Sequence, residues 1–175
     1  MLKVLLCGLV ILSFSANAET LPLPETKLHL TFPKEKKVAP DFSLPLLNGT
    51  SVSLADLKGH VVLLNFWATF CHPCREEMPA LQSLWERYKD QGLMVIAVSV
   101  DYTNIKFIQK YMGNNKLTFP AGLDVNKNIR KKYEIKVLPT TYIIGRDGKF
   151  LARTRGERNW ASTESFSYFK NLLEP

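Results

Sequence analysis

Two apolar runs, Val61-Val-Leu-Leu-Asn-Phe-Trp-Ala68 and Leu93-Met-Val-Ile-Ala-Val-Ser-Val100, constrain this chain more than any other feature. Continuous runs of branched and aromatic side chains, with no polar alternation, suit strands buried on both faces, as in a central parallel sheet. Between them, Cys74 to Lys89 carries apolar residues at Met78, Leu81, Leu84, Trp85 and Tyr88, the spacing of a helical stripe, with Pro79 expected to kink it. Strand, helix and strand in that order make a crossover unit that needs cover on both sides of its sheet. Where the first strand hands over to the helix stands Cys71-His72-Pro73-Cys74.

Cysteines so spaced at a strand-to-helix junction can close an intramolecular disulfide and reopen it, which is electron-carrier chemistry. Cys71 would sit at the helix start, where unpaired backbone N–H groups and the positive end of the dipole favour an anion. Such placement brings a thiol from about 8.5 to about 3.5–7.5, so Cys71 is expected to be the attacking sulfur. Cys74, one turn on and deeper, is expected to resolve the mixed disulfide that Cys71 makes with a substrate. His72 and Pro73 tune the thiolate and hence the reduction potential; a protonated His72 would favour a more oxidising disulfide, but an exposed imidazole is mostly neutral at pH 7.

The same cysteine spacing occurs in zinc and haem sites. Structural zinc needs four ligands, and beyond the pair the chain offers only Cys7 and the scattered His29, His60 and His72. Covalent haem needs His directly after the second Cys, where Arg75 stands. No metal and no cofactor is expected. His29 and His60 are read as surface residues.

The 175 residues, 46% apolar and 22% charged, suffice for one globular domain with a good core. Residues 1–18 read as an export signal: Lys3 as the basic start, Val4 to Phe14 as the apolar stretch and Ala16-Asn17-Ala18 as the cleavage site. The alternative is an uncleaved anchor, against which the stretch is shorter than the ~20 residues of a membrane span. Cys7 lies inside that stretch, which leaves no room for a signal before a lipid-modified cysteine. Cleavage removes Lys3 and no acid, leaving the rest one unit below the formal +7 and its remaining two cysteines both in the motif. An exported protein with one vicinal pair is not using disulfides as a scaffold. Export argues against nucleic acid as partner, and basic residues interspersed with acids, as in Lys34-Glu35-Lys36-Lys37, read as a solvated surface.

Residues 19–37, with several prolines and a charge cluster, read as an extended lead-in with one strand near Leu28 to Phe32. Phe42 to Leu47 and Ser51 to Leu54 flank Asn48-Gly49, a hairpin signal. A helix is expected near Asn104 to Tyr111, a short strand around Phe119 to Leu123 and a helix from Asn126 to Glu134. Thr140 to Ile144 and Lys149 to Arg153 surround Arg146-Asp147-Gly148, a second hairpin signal. A last helix, capped by Asn159, would bury Phe166, Phe169, Leu172 and Leu173. Parallel strands joined by helices, beside an antiparallel closing pair, make a three-layer α/β sandwich.

Asn65-Phe-Trp-Ala-Thr-Phe-Cys-His-Pro-Cys74, Pro79 and Val137-Leu-Pro-Thr-Thr-Tyr142 together resemble the TlpA/ResA-like branch of the thioredoxin superfamily, over Val38 to Leu173. The Asp41-Phe-Ser-Leu opening and the insertion around Asp101 to Glu134 are similar to that exported branch rather than to plain thioredoxin. The resemblance implies a thioredoxin-like three-layer sandwich with an N-terminal β-hairpin and a central αβα insertion, filling residues 38–175. It implies a cis bond before Pro139, whose loop lies against the pair and offers backbone groups to an extended substrate. Trp67, His72 and Pro73 are expected beside it, with Trp67 and Phe70 as an apolar docking rim, although either could equally be core. Thioredoxin proper has a buried Asp where this chain has Asn65, which cannot accept a proton. Glu77 matches an acidic residue near the cysteines in the ResA-like branch; partial burial would raise its pKa and let it manage the thiol protons. The competing reading is a solvated Glu that helps the helix dipole, the role assigned to Glu76.

The function so implied is reduction of disulfides in exported, periplasmic proteins, apocytochromes c being the best-known class, with electrons from a membrane thiol transporter. A disulfide donor or isomerase is the alternative within this chemistry. A peroxidase would place Thr at position 68, where Ala stands. A non-catalytic module holding a peptide or metal is the reading from a different class.

Overall fold

The computed structural model describes residues 28–102 and 104–174. The expected signal over residues 1–18 and the lead-in as far as residue 27 lie outside them. The elements are β1 (Ser43–Pro45), β2 (Ser51–Ser53), β3 (Val61–Trp67), α1 (His72–Tyr88), β4 (Leu93–Ser99), α2 (Ile105–Asn114), β5 (Ala121–Leu123), α3 (Asn128–Lys132), β6 (Thr140–Ile144), β7 (Phe150–Arg155) and α4 (Thr163–Leu173). The sheet has the strand order β5-β4-β3-β6-β7. β3, β4 and β5 run parallel, while β6 and β7 close it antiparallel. Both apolar runs became adjacent central strands, with Val61 to Trp67 buried throughout.

Alternation along β3 sends its side chains to opposite layers. Val61, Leu63 and Trp67 face a cluster with Met78, Leu81 and Leu84 of α1, Ile108 and Met112 of α2, and Phe169 and Leu173 of α4. Val62, Leu64 and Phe66 face Leu44 and Val52 of the hairpin and Ile129 of α3. The three-layer sandwich expected from the element order is thus the observed one. β1 and β2 form a separate two-stranded sheet about Gly49, which takes φ +88.

Both sheet edges are covered by the chain's own N-terminal part, which removes ready templates for association. Residues 31 and 38 bridge to Arg153 and Lys149 beside β7, and Leu46 bridges to Gly122 of β5. That last approach requires glycine: a Cβ at Gly122 would collide with the Pro45 carbonyl and the Leu44 side chain.

Several elements differ from expectation: the strand near Leu28 to Phe32 is a single bridge at Thr31, and α3 is shorter than the expected 126–134. α1 begins at His72 and runs through Pro79 as one helix. α4 is capped by Ser162, whose hydroxyl accepts the Ser165 N–H at 3.1 Å, and not by Asn159. Asn159 instead accepts from Ala161 N–H two residues on, a local turn that its short amide competes for successfully. The turn releases Trp160 from the helix and lets it enter the core, where it is fully buried.

Candidate active site

Cys71 is the N-cap of α1 and is bonded to Cys74, with S–S 2.11 Å and Cα–Cα 5.3 Å. Its sulfur accepts the Cys74 N–H at 3.3 Å, taking the place that a Ser or Asp side chain usually fills at a helix start. Pro73 lies within the first turn, where its missing N–H costs no helical bond. Cys71 is half-buried and Cys74 fully buried. The geometry therefore gives an outer sulfur at the positive helix end and an inner one enclosed by the core.

The loop before Cys71 is pinned from β4. The Asp101 carboxylate accepts from Thr69 N–H at 3.0 Å, from the Thr69 hydroxyl, and from Ser99 Oγ at 2.6 Å. Across β3, residue 66 pairs with Thr140, so the loop ahead of β6 reaches the same end of the sheet as the cysteines. The Leu138–Pro139 peptide is cis. Leu138, like Cys71, packs against both apolar clusters. Pro139 is buried and its carbonyl accepts the Gly156 N–H at 2.8 Å.

Glu77 lies one turn past Cys74 and is 2% exposed. Its Oε1 accepts from Asn65 Nδ2 at 2.7 Å, and its Oε2 from Trp160 Nε1 at 3.0 Å and Arg158 N–H at 3.1 Å. Burial raises its pKa from 4.5 to about 7; the three hydrogen bonds and the Arg158 charge oppose that rise without cancelling it. Asn65 also donates to Thr141 Oγ1 at 3.0 Å across the β3–β6 pairing, which fixes its amide toward the carboxyl. Arg158 is held by three carbonyls, those of Leu28, Arg155 and Glu157. A group able to change protonation near neutrality is thus enclosed within one turn of the inner thiol.

The remaining expected site residues separate into two groups. His72 is exposed, 3.3 Å from Glu76 through Nε2 and from Arg75 Nη2 through Nδ1. Glu76 thus pairs with His72 on the surface, and Glu77 is not the solvated residue of the competing reading. Trp67 does not form a docking rim: it is fully buried, with its ring 5.3 Å from that of Tyr111. The physical reason is its parity on β3, which aims it with Leu63 into the layer of α1. Phe70, 65% exposed, is the aromatic that faces solvent beside the pair. His60 is half-buried, not a surface residue.

Asp101, Arg158 and Trp160 carried no signal in the sequence. Trp160 lies 83 residues from the glutamate it bonds, and only the fold brings them together. Among the described residues no group of three His, Cys, Asp or Glu side chains converges as a metal site. None of the described helices is long and apolar enough to cross a membrane.

A mixed sheet whose central strand ends in a helix-capping cysteine pair, with a cis-proline loop at the same end, defines a thioredoxin-fold thiol-disulfide oxidoreductase. The chain belongs to the AhpC/TSA family, which it matches over residues 36–152. Within that breadth it is 36% identical to the thiol-disulfide oxidoreductase ResA of Bacillus thuringiensis, over 77% of this chain and 80% of that one. Among solved structures it is similar to the thioredoxin domain of a thiol-disulfide oxidoreductase of Bacteroides vulgatus, with TM-score 0.68 and 27% identity, covering 79% and 96% of the two chains. A DsbF homologue of Corynebacterium diphtheriae gives TM-score 0.69 and 26% identity, covering 84% and 92%.

Proposed function

We propose that this oxidoreductase is exported and works as a reductant, opening disulfides in periplasmic polypeptides, apocytochromes c among them, with electrons supplied by a membrane thiol transporter. The observation that carries the mechanism is the Glu77 carboxyl, enclosed one turn from Cys74 and poised at about 7. In the reduced enzyme the Cys71 thiolate attacks one sulfur of the substrate disulfide, forming a mixed disulfide and releasing the other sulfur as a thiolate. Cys74 passes its proton to Glu77 and attacks Cys71, which expels the second substrate thiolate and closes the Cys71–Cys74 bond. Two electrons have then moved to the substrate, and the donor dithiol returns the enzyme by the reverse exchange.

Asn65 supports this scheme by orienting the carboxyl without competing for its proton. The Pro139 carbonyl accepts from Gly156 N–H and that of Val137 from the Thr140 hydroxyl, so the groups that seat an extended substrate are those of Leu138 between them. His72 and Pro73 set the outer surface around the attacking sulfur. Ala68 supplies no hydroxyl at the position a peroxidase would use.

Trapping tests the reading directly. With Cys74→Ser, the adduct on Cys71 cannot be resolved, and mixed disulfides should accumulate in the periplasmic fraction of cells producing the full chain. Identification of the captured proteins names the clients. An empty trap, or a pair that is found oxidised in cells at steady state, overturns the reductant reading.

A further inference from the structure

The end of the sheet that carries the cysteines also carries a groove that the exchange chemistry leaves unused. It is a shallow, open depression of about 650 Å³, lined by Tyr102, Lys127, Arg130, Lys131, Lys136 and Glu134, together with the largely buried Ile135. Four cations thus face one carboxylate in a concave site. Two loops connect it to the reactive pair. Tyr102 follows Asp101, the residue that holds Thr69 ahead of Cys71. Lys136 leads into Val137, Leu138 and Pro139. From the same two regions near the pair, Phe70 and Val137 present exposed apolar side chains.

The groove is organised before anything binds. Lys127 places its Nζ 4.6 Å from the centroid of the Tyr102 ring, which is itself 72% exposed. Lys127 and Glu134 bracket α3 with φ of +58 and +52, the left-handed region that glycine takes at lower cost. Both side chains line the groove, the Lys127 ammonium adding to its positive charge and the Glu134 carboxylate standing as its one acid.

We infer that this groove seats an acidic stretch of the client polypeptide, next to the disulfide being reduced. The inference rests on the oxidoreductase reading and adds the substrate class. Charge complementarity names the occupant: a polypeptide running over the Val137–Leu138 loop to reach Cys71 continues onto four cations, with Tyr102 and Ile135 accepting apolar side chains among the acids.

Two peptides sharing one cystine loop, flanked by acidic or by basic residues, test this, with hydroxyethyl disulfide as an uncharged reference. The wild-type protein should favour the acidic peptide by about tenfold in kcat/KM at low salt, through faster association. The preference should collapse at ~1 M salt, where the Debye length is about 3 Å. Reversing Lys127, Lys131 and Lys136 to Glu should invert the ratio of the two peptide rates. Reversing Lys58, Lys89 and Lys170 gives the same net charge and should leave the ratio in place. Lys127→Gly should fold at least as stably as wild type and still lose part of the preference, which separates recognition from folding. Equal peptide rates in the wild type, or a ratio that follows net charge alike in both triple variants, overturns the inference. Binding of phosphatidylglycerol vesicles through these lysines, without a peptide preference, overturns it in favour of a membrane contact. Failure to reduce even hydroxyethyl disulfide overturns the oxidoreductase reading with it.

Discussion

The two faces of β3 bury polar groups on opposite terms. Toward α1 and α4, the layer encloses a carboxyl, Glu77, whose partners Asn65, Trp160 and Arg158 N–H are all donors. Toward α3 and the hairpin, the layer encloses phenols that donate to carbonyls: Tyr133 to Pro40 at 2.7 Å and Tyr142 to Tyr133 at 2.8 Å. Around these phenols stand Phe66 and Phe150 in edge and tilted contacts, with ring centroids 4.9 to 6.4 Å apart. Burial, with Asp41 and Tyr142 nearby, drives the Tyr133 hydroxyl further above its ordinary value, so it stays neutral wherever the protein works. The Tyr133 hydroxyl is therefore indifferent to pH, whereas the Glu77 carboxyl changes charge near neutrality. Burying the carboxyl costs stability once it is ionised, a cost that the proposed proton transfer at Glu77 would explain.

Glu77→Gln gives the two faces the same pH-indifferent character and is expected to have the largest effect. Loss of a positioned acid–base group slows proton-coupled steps by roughly 10²–10⁴-fold. The rate of disulfide reduction should fall in that range, and the inflection near pH 7 in the wild-type profile should vanish from stopped-flow measurements of the exchange. An unchanged inflection would move the titrating group elsewhere and dissolve the contrast between the layers.

The same carboxyl makes stability depend on pH, with a sign fixed by linkage. Unfolded Glu77 loses its proton near 4.5, while the folded residue keeps it to about 7. Between those values the native state binds more protons, so its stability falls as pH rises. The loss amounts to roughly 3 kcal/mol across pH 4.5 to 7, at about 1.36 kcal/mol per pKa unit. Urea unfolding at intervals across that window should show the decline in wild type and its absence in Glu77→Gln. A parallel decline in both proteins would assign the slope to other groups.

How much of this contrast was legible in the sequence follows from how local each signal is. The apolar runs became β3 and β4 because each residue of a doubly buried strand carries the same message, and both hairpins rested on dipeptides acting within a few residues. The cysteine pair was readable for the same reason. Rim and core are both open to Trp67 in the sequence, because a strand apolar on both faces offers no parity by which to tell inside from outside. Asn159 has the residue type of a cap, but its amide competes equally well for a local turn. The resemblance points to Glu77, but the donors that hold its carboxyl come from β3 and from the segment before α4, far apart in the chain. The groove beside α3 was invisible because its cations look, in sequence, like an ordinary solvated surface.

Tyr142→Phe probes the other face and is expected to have the smallest effect. The ring and its contacts with Phe150 and Phe66 remain, so no cavity opens. What is lost is one donor to the buried Tyr133 carbonyl, worth about 1–2 kcal/mol when the acceptor stays enclosed. Because the substitution removes a hydrogen-bond donor and leaves every carboxyl in place, the loss should be the same at pH 5 and pH 8, unlike that at Glu77. Disulfide reduction should be unaffected, since no titrating group within reach of the thiols has changed. Measured together, the two variants form a cross: one shifts rate and the pH slope of stability, and the other shifts stability alone by a constant. A pH-dependent cost in Tyr142→Phe would mean that the two layers are coupled through β3, whose Asn65 and Phe66 are neighbours in sequence but point to opposite sides.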